Sequence, residues 1–244
     1  MKDLFSKGSK LYSTARPSYP DALISFILNI TSNFNLAWDV GTGNGQLAAL
    51  LAPYFENIVA TDISKEQLMH AVPKANIQYK VQPAEQSDFK DNSVDLITIA
   101  QAVHWFDFEL FYQEAKRVLS LNGIIAVVGY PLIKVDTEVD KVINYFHDDI
   151  LGTYWDPECS YLDENYTTLP FPFTEIELPV ITSQYNWTFD QLIAFLYTWS
   201  GLRHYINKND IDPMIELVPL LRKAWGQNQT KTVYFPVIGR IGKL

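Results

Sequence analysis

Between residues 36 and 130 the chain alternates short apolar runs with longer amphipathic stretches, and no other feature restricts its fold so tightly. The runs at 37–40, 58–61, 77–81, 94–100 and 124–128 have the length and composition of strands. The stretches between them have helix length and start and stop signals. Ser64-Lys65-Glu66-Gln67 fits a capping box, Asp107 fits a helix N-cap, and Asn122-Gly123 suits a helix stop followed by a turn. Parallel strands need long crossovers, so this alternation predicts an α/β, doubly wound, mostly parallel sheet with helices on both faces. Such sheets bind ligands beyond the carboxyl ends of their strands, where strand order reverses.

The pattern changes after Tyr130. A helix is expected over 135–151. Residues 153–173 hold three prolines and many aromatics, which is too apolar for a linker and reads as a packed lid or insertion. A strand is expected over 176–187, a second capping box at Thr188-Phe189-Asp190-Gln191, and helices to about 225. A closing strand over 232–241 contains Pro236, which marks a bulge or an exposed edge. The expected organisation is one domain, 1–244. It comprises an N-terminal closing segment (1–35), a ligand-binding core (36–130), a lid with helices (131–230) and a final strand (231–244).

Composition removes several classes of function. With 28 acidic against 19 basic residues the net charge is −9, which repels phosphate backbones, so no nucleic-acid partner is expected. Cys159, the one cysteine, cannot form an internal disulfide and fits a reducing compartment. The first residues lack a signal peptide's apolar stretch, and no later run is long enough to span a membrane. A cytoplasmic protein acting on a small molecule is the expectation, with its oligomeric state left open.

Asp39-Val40-Gly41-Thr42-Gly43-Asn44-Gly45-Gln46 follows the first strand and opens a helix. Glycine is needed where backbone turns tightly or approaches a ligand closely, although a plain strand-to-helix turn would use it too. Asp62 lies about 20 residues after the first glycine, at the end of the second strand, where a carboxylate can accept both hydroxyls of an adenosine ribose. Ser64 is the better helix cap, which would leave Asp62 available. A dinucleotide fingerprint wants Gly or Ala where Gln46 stands, and no P-loop Gly-Lys-Ser/Thr is present.

The spacing Asp-x-Gly-x-Gly-x-Gly resembles motif I of the class I S-adenosylmethionine-dependent methyltransferases. Thr61-Asp62-Ile63-Ser64 resembles the family's acidic strand end, with Ile63 placed to pack on adenine. Ala84-Glu85 resembles the segment that addresses the adenine amino edge. Val94-Asp95-Leu96-Ile97 and Arg117-Val118-Leu119, with Gly123, resemble its fourth strand and the turn into its fifth. The resemblance implies a Rossmann-like seven-stranded sheet with an antiparallel final strand. It also implies S-adenosyl-L-methionine as cofactor, held by Asp39, Gly41, Thr42, Gly43, Asn44, Gly45, Asp62, Ile63, Ala84 and Glu85, with Gln101 and Ala102 after the fourth strand. Within the family, Ala102-Val103-His104-Trp105-Phe106-Asp107, Arg16-Pro17-Ser18-Tyr19-Pro20 and 235–242 resemble the trans-aconitate methyltransferase-like group. That implies methyl transfer to a small molecule, often a carboxylic acid.

Methyl transfer from a sulfonium is an in-line displacement in which orientation lowers the barrier, and aromatic faces suit the cation. Trp105 is a candidate because its strand end faces the cofactor. Tyr12, Arg16 and Tyr19 precede the first strand, where a closing segment is expected. Trp199 and Arg203 fall four apart, hence on one helix face, and Arg203 there suits bidentate pairing with a carboxylate, or else a surface salt bridge. His104 has three readings: general base, donor to substrate, or a structural residue tying down its loop. A carboxylate acceptor needs no base, so the reading taken is that His104 positions the acid or the loop. His147-Asp148-Asp149 reads as a solvated acidic face rather than a metal site, since three adjacent helical residues point in different directions. A cofactor-binding sensor without catalysis and an NAD-dependent dehydrogenase remain the alternatives.

Overall fold

The alternation over residues 36–130 builds the sheet it implies. The computed structural model describes residues 16–244. Helix α1 (Asp21–Ile30) leads into β1 (Leu36–Val40), α2 (Gln46–Leu51), β2 (Asn57–Asp62), α3 (Lys65–Met69), β3 (Ile77–Val81), β4 (Val94–Ala100), α4 (Phe108–Val118) and β5 (Leu119–Gly129). Then come α5 (Thr137–Asn144), the short α6 (Ser160–Asp163), β6 (Thr174–Ile176), β7 (Thr182–Thr188), α7 (Phe189–Leu196), α8 (Ser200–Asn209), α9 (Met214–Trp225), β8 (Thr230–Pro236) and β9 (Ile238–Lys243). The main sheet has seven strands in the order β3-β2-β1-β4-β5-β9-β6. The strands β1 to β5 are parallel, and β9 runs antiparallel to both its neighbours. The chain moves outward from β1 to β3 and then returns to β4, so strand order reverses between β1 and β4. Ligands bind beyond the carboxyl ends at such a point.

Alternation along each strand supplies two cores. Ile124, Ala126 and Val128 face α1 and α2, whose Leu23, Ile27, Leu47 and Leu51 are buried against Ala37, Ala60 and Leu96. Ile125 and Val127 face the other way, with Trp38, Val40, Ile97 and Ile99, onto Phe111, Ala115 and Val118 of α4. Trp38 is fully buried, and its indole N–H donates to Thr61 Oγ1 at 2.9 Å, so the ring costs no unpaired donor. Asp95, also buried, accepts the amides of Asn35 and Leu36 and the Ser120 hydroxyl, tying the starts of β1 and β5 to β4.

Beyond Gly129 the expectations need correction in detail. The strand expected over 176–187 is two strands, β6 in the main sheet and β7 in a separate pair with β8, divided at 177–181. The closing strand is likewise two, and the break falls at Val237 after Pro236: β8 pairs with β7, β9 with β5. Proline cannot donate to a ladder, so the chain changes sheets there. The helix over 135–151 is α5 continued by a π-helical turn at Tyr145–Ile150. Helix α4 stops at Val118, earlier than Asn122-Gly123 implies, and Asn122 adopts a left-handed conformation in the bulged start of β5. The segment 153–173 packs as expected, with Tyr166 and Leu169 buried in the second core. The β7–β8 pair, α5, α7 and α9 enclose a third core around Phe146, Trp187, Phe195, Trp225 and Phe235.

Candidate active site

The turn from β1 to α2 is possible only with glycine. Gly41, Gly43 and Gly45 have φ of +64°, +57° and +78°, in the left-handed region that L side chains rarely adopt. Gly41 also lies against the loop after β4: a Cβ there would stand 2.6 Å from Ala102 Cβ. Beneath the turn sits Asp39, 1% exposed, accepting the hydroxyls of Thr42 at 2.5 Å and Thr98 at 2.6 Å. Burial raises its pKa to about 6, against the pull of both hydroxyls.

Asp62, at the end of β2, is not left unengaged by Ser64, as the sequence suggested. Its Oδ2 accepts the Gly43 amide and its Oδ1 the Ser64 amide, both at 2.8 Å. Ser64 does cap α3, accepting from the Gln67 amide. A carboxylate can accept more than two hydrogen bonds, so Asp62 can secure the glycine turn and still take ribose hydroxyls.

The third wall is the end of β4. Gln101 has φ +58°, unusual for a residue with a side chain, and its amide Nε2 donates to Tyr130 O at 2.9 Å. A 3-10 turn, Val103–Trp105, then turns Trp105 toward the cleft and His104 away from it. His104 is 4% exposed, stands beside the rings of Trp105 and Tyr166, and lines neither this cleft nor the cavity that adjoins it. Burial lowers its pKa to about 4, so it is neutral at physiological pH. Asp107 caps α4 as expected, accepting the Leu110 amide.

Together these elements line a cleft of about 880 Å³. Asp39, Gly41, Thr42, Gly43 and Asn44 form one side, Asp62 and Ile63 another, and Gln101, Ala102 and Trp105 the third. Gly45 lies behind the turn against the Tyr79 ring and does not line the cleft. Ala84 is buried in the second core, and Glu85 accepts the Asp107 amide at 3.1 Å, so neither reaches the lining. Sequence reasoning missed Gln46, Leu47, Gln67, Ala100 and Tyr130, which also line it. A carboxylate at the β2 end, an apolar Ile63 beside it and an open backbone turn fit an adenosyl group bearing a ribose and a charged tail.

A second cavity of about 520 Å³ adjoins the first and shares Arg16, Gln101 and Tyr130 with it. Its walls are Trp155, Phe195 and Trp199, with Leu132, His147 and Asp163. Arg16 stands at the junction, where its Nε donates to Thr198 Oγ1 at 3.1 Å and an Nη to Tyr130 Oη at 3.3 Å. Tyr19 lines the cleft near the Tyr130 ring. Trp199 is the N-cap of α8 and stacks on Phe146, whereas Arg203 lines neither cavity, so the expected Trp199–Arg203 pairing at the site fails. Tyr12 lies outside the described residues. His147, read from sequence as part of a solvated face, instead has a largely buried ring in this cavity, placed there by the π-helical turn.

The chain is similar to known proteins in sequence and fold. Residues 38–127 match the model of a methyltransferase domain. A Dictyostelium discoideum protein named a methyltransferase is 33% identical over 243 residues, spanning 96% of this chain and 92% of that one. A Saccharomyces cerevisiae protein named an S-adenosylmethionine-dependent methyltransferase is 24% identical, spanning 84% of this chain and 82% of its own. The solved structure of a type II methyltransferase from Anaeromyxobacter dehalogenans superposes with a TM-score of 0.86 at 36% identity, covering 93% of this chain and 97% of that one. Fold, glycine turn and relatives agree against the dehydrogenase alternative, and the chain belongs to the class I S-adenosylmethionine-dependent methyltransferases.

Proposed function

We propose that this enzyme methylates a small-molecule carboxylic acid, seated in the aromatic cavity with its carboxylate at Arg16. The observation that carries this reading is the position of Arg16. Among the described residues it is the only Lys or Arg lining either cavity, and it stands where the two meet. Bound in the cleft, S-adenosylmethionine supplies an electrophilic methyl group and leaves as a neutral thioether. The chain's own task is to bring an acceptor oxygen to that junction and keep water out. A carboxylate is ionised at neutral pH and needs no proton removed, which agrees with the absence of His104 from the lining. Tyr130 and Trp105 supply the apolar faces beside it. The trans-aconitate methyltransferase-like motifs point to the same acceptor class.

A panel of small carboxylic acids, each paired with its amide and with phenol and amine analogues, tests the reading with labelled S-adenosylmethionine. Labelled methyl esters from the acids alone are expected. Transfer to the phenols or amines with none to the acids would reject it.

A further inference from the structure

The side of the acceptor cavity that does not adjoin the cofactor cleft has a different character. There the cavity shares Leu132, His147 and Asp163 with a surface depression rather than with the cofactor cleft. His147 Nδ1 lies 2.7 Å from Asp148 Oδ1, and its Nε2 lies 3.6 Å from Asp163 Oδ1. In the tautomer whose Nδ1–H donates to Asp148, Nε2 is an acceptor facing a second acceptor, the Asp163 carboxylate. Two acceptors so placed call for a donor between them. The walls around them are aromatic: the Trp155 ring lies 4.8 Å from that of His147, and the Trp199 ring 5.5 Å from that of Trp155. Ring faces beside a carboxylate attract a cation and offer an anion nothing.

Resting on the carboxylate reading above, we infer that the acceptor carries a protonated amine at the end remote from the methylated acid, held by Asp163 and His147 Nε2 beside the Trp155 and Trp199 rings. The cavity is then bipolar, with Arg16 holding the anionic end beside the cofactor and Asp163 the cationic end. A π-helical turn puts His147 where a regular helix would not, and such turns concentrate at functional sites.

Two probes at pH 8 separate this inference from the reading beneath it. The first compares kcat/KM for 3-phenylpropanoate and 3-(4-aminomethylphenyl)propanoate in the native enzyme and in Asp163→Asn. The aminomethyl acid is expected to be preferred at least tenfold, and Asp163→Asn to remove that preference. The second measures calorimetric binding of phenethylamine, which has no carboxylate, to the enzyme with S-adenosylhomocysteine. Binding is expected, weakened at least tenfold by Asp163→Asn. Methylation of both acids with no preference, or phenethylamine binding indifferent to Asp163→Asn, overturns the inference and leaves the carboxylate reading standing. Asp163-dependent amine binding with no acid methylated overturns the carboxylate reading and leaves only the amine site standing.

Discussion

Gly43 gives its amide hydrogen to Asp62 Oδ2 at 2.8 Å, so the turn after β1 is anchored by the carboxylate that ends β2. One side chain therefore shapes the cleft and presents acceptors to its ligand. Asp62→Ala is expected to weaken S-adenosylhomocysteine binding more than tenfold, since hydrogen bonds to a charged group contribute about 1.5–3 kcal/mol. The melting temperature should fall as well, because the Gly43 and Ser64 amides lose their partner. Titration calorimetry with a melting curve checks both; unchanged affinity in the folded variant would place the cofactor elsewhere.

Gly41→Ala tests the turn itself. The left-handed φ and the approach to Ala102 leave no room for a methyl group, so the loop after β4 must shift. Cofactor affinity should drop at least tenfold, while circular dichroism stays close to that of the native protein. Full affinity in Gly41→Ala would show that the two loops need not touch.

The titration of Asp39 carries a sign that can be checked. Its folded pKa, about 6, lies above the ordinary 3.8, so the native state holds its proton longer than the unfolded chain does. Stability from this group is complete below about pH 4 and is lost as pH rises through 6. Asp39→Asn should therefore gain melting temperature relative to the native protein between pH 4 and pH 7.5 while binding cofactor more weakly. A constant difference across that range would contradict the raised pKa.

His104 behaves oppositely. Its folded pKa, about 4, lies below the ordinary 6.5, so its contribution is present above 6.5 and lost as pH falls toward 4. Saturating methylation rates should be flat from pH 6 to 8, and His104→Ala should cost stability without changing that profile. A rate rising with an apparent pKa near 6.5, abolished in His104→Ala, would restore the general-base reading.

Arg16 and Arg203 should separate. Arg16→Ala is expected to lower kcat/KM for the acid at least about tenfold through loss of a charge-assisted bond, whereas Arg203→Ala should change it less than about threefold. Arg16→Lys should recover only part of the loss, since an ammonium cannot span Thr198 and Tyr130 as the guanidinium does. Equal effects of the two alanine variants would argue for a different anchor.

What could be read in the sequence follows from how locally each feature is encoded. The core strands, the glycine turn and Asp62 are marked by runs and spacings a few residues long. The caps at Ser64, Asp107 and Thr188 were legible for the same reason. Tyr130 and His147 carry no motif; they reach the site only because β5 ends there and because a helix takes a π turn. Helical spacing correctly related Arg203 to Trp199 along the chain. It could not show that Trp199 caps α8 with its ring turned onto Phe146, so the arginine does not follow it to the site. The passage of 230–243 from one sheet to the other depends on partners more than 40 residues away, which no local pattern contains.

That passage bears on how the protein is made. β9 fills the place between β5 and β6, pairing with 124–129 on one side and 174–176 on the other. During translation β5 leaves the ribosome with its outer edge unpaired and keeps it so until residues 238–243 have emerged. An apolar parallel sheet with an open edge is a template for association between nascent chains. Through that interval the growing chain needs either a chaperone on the edge or a slow enough encounter with its neighbours.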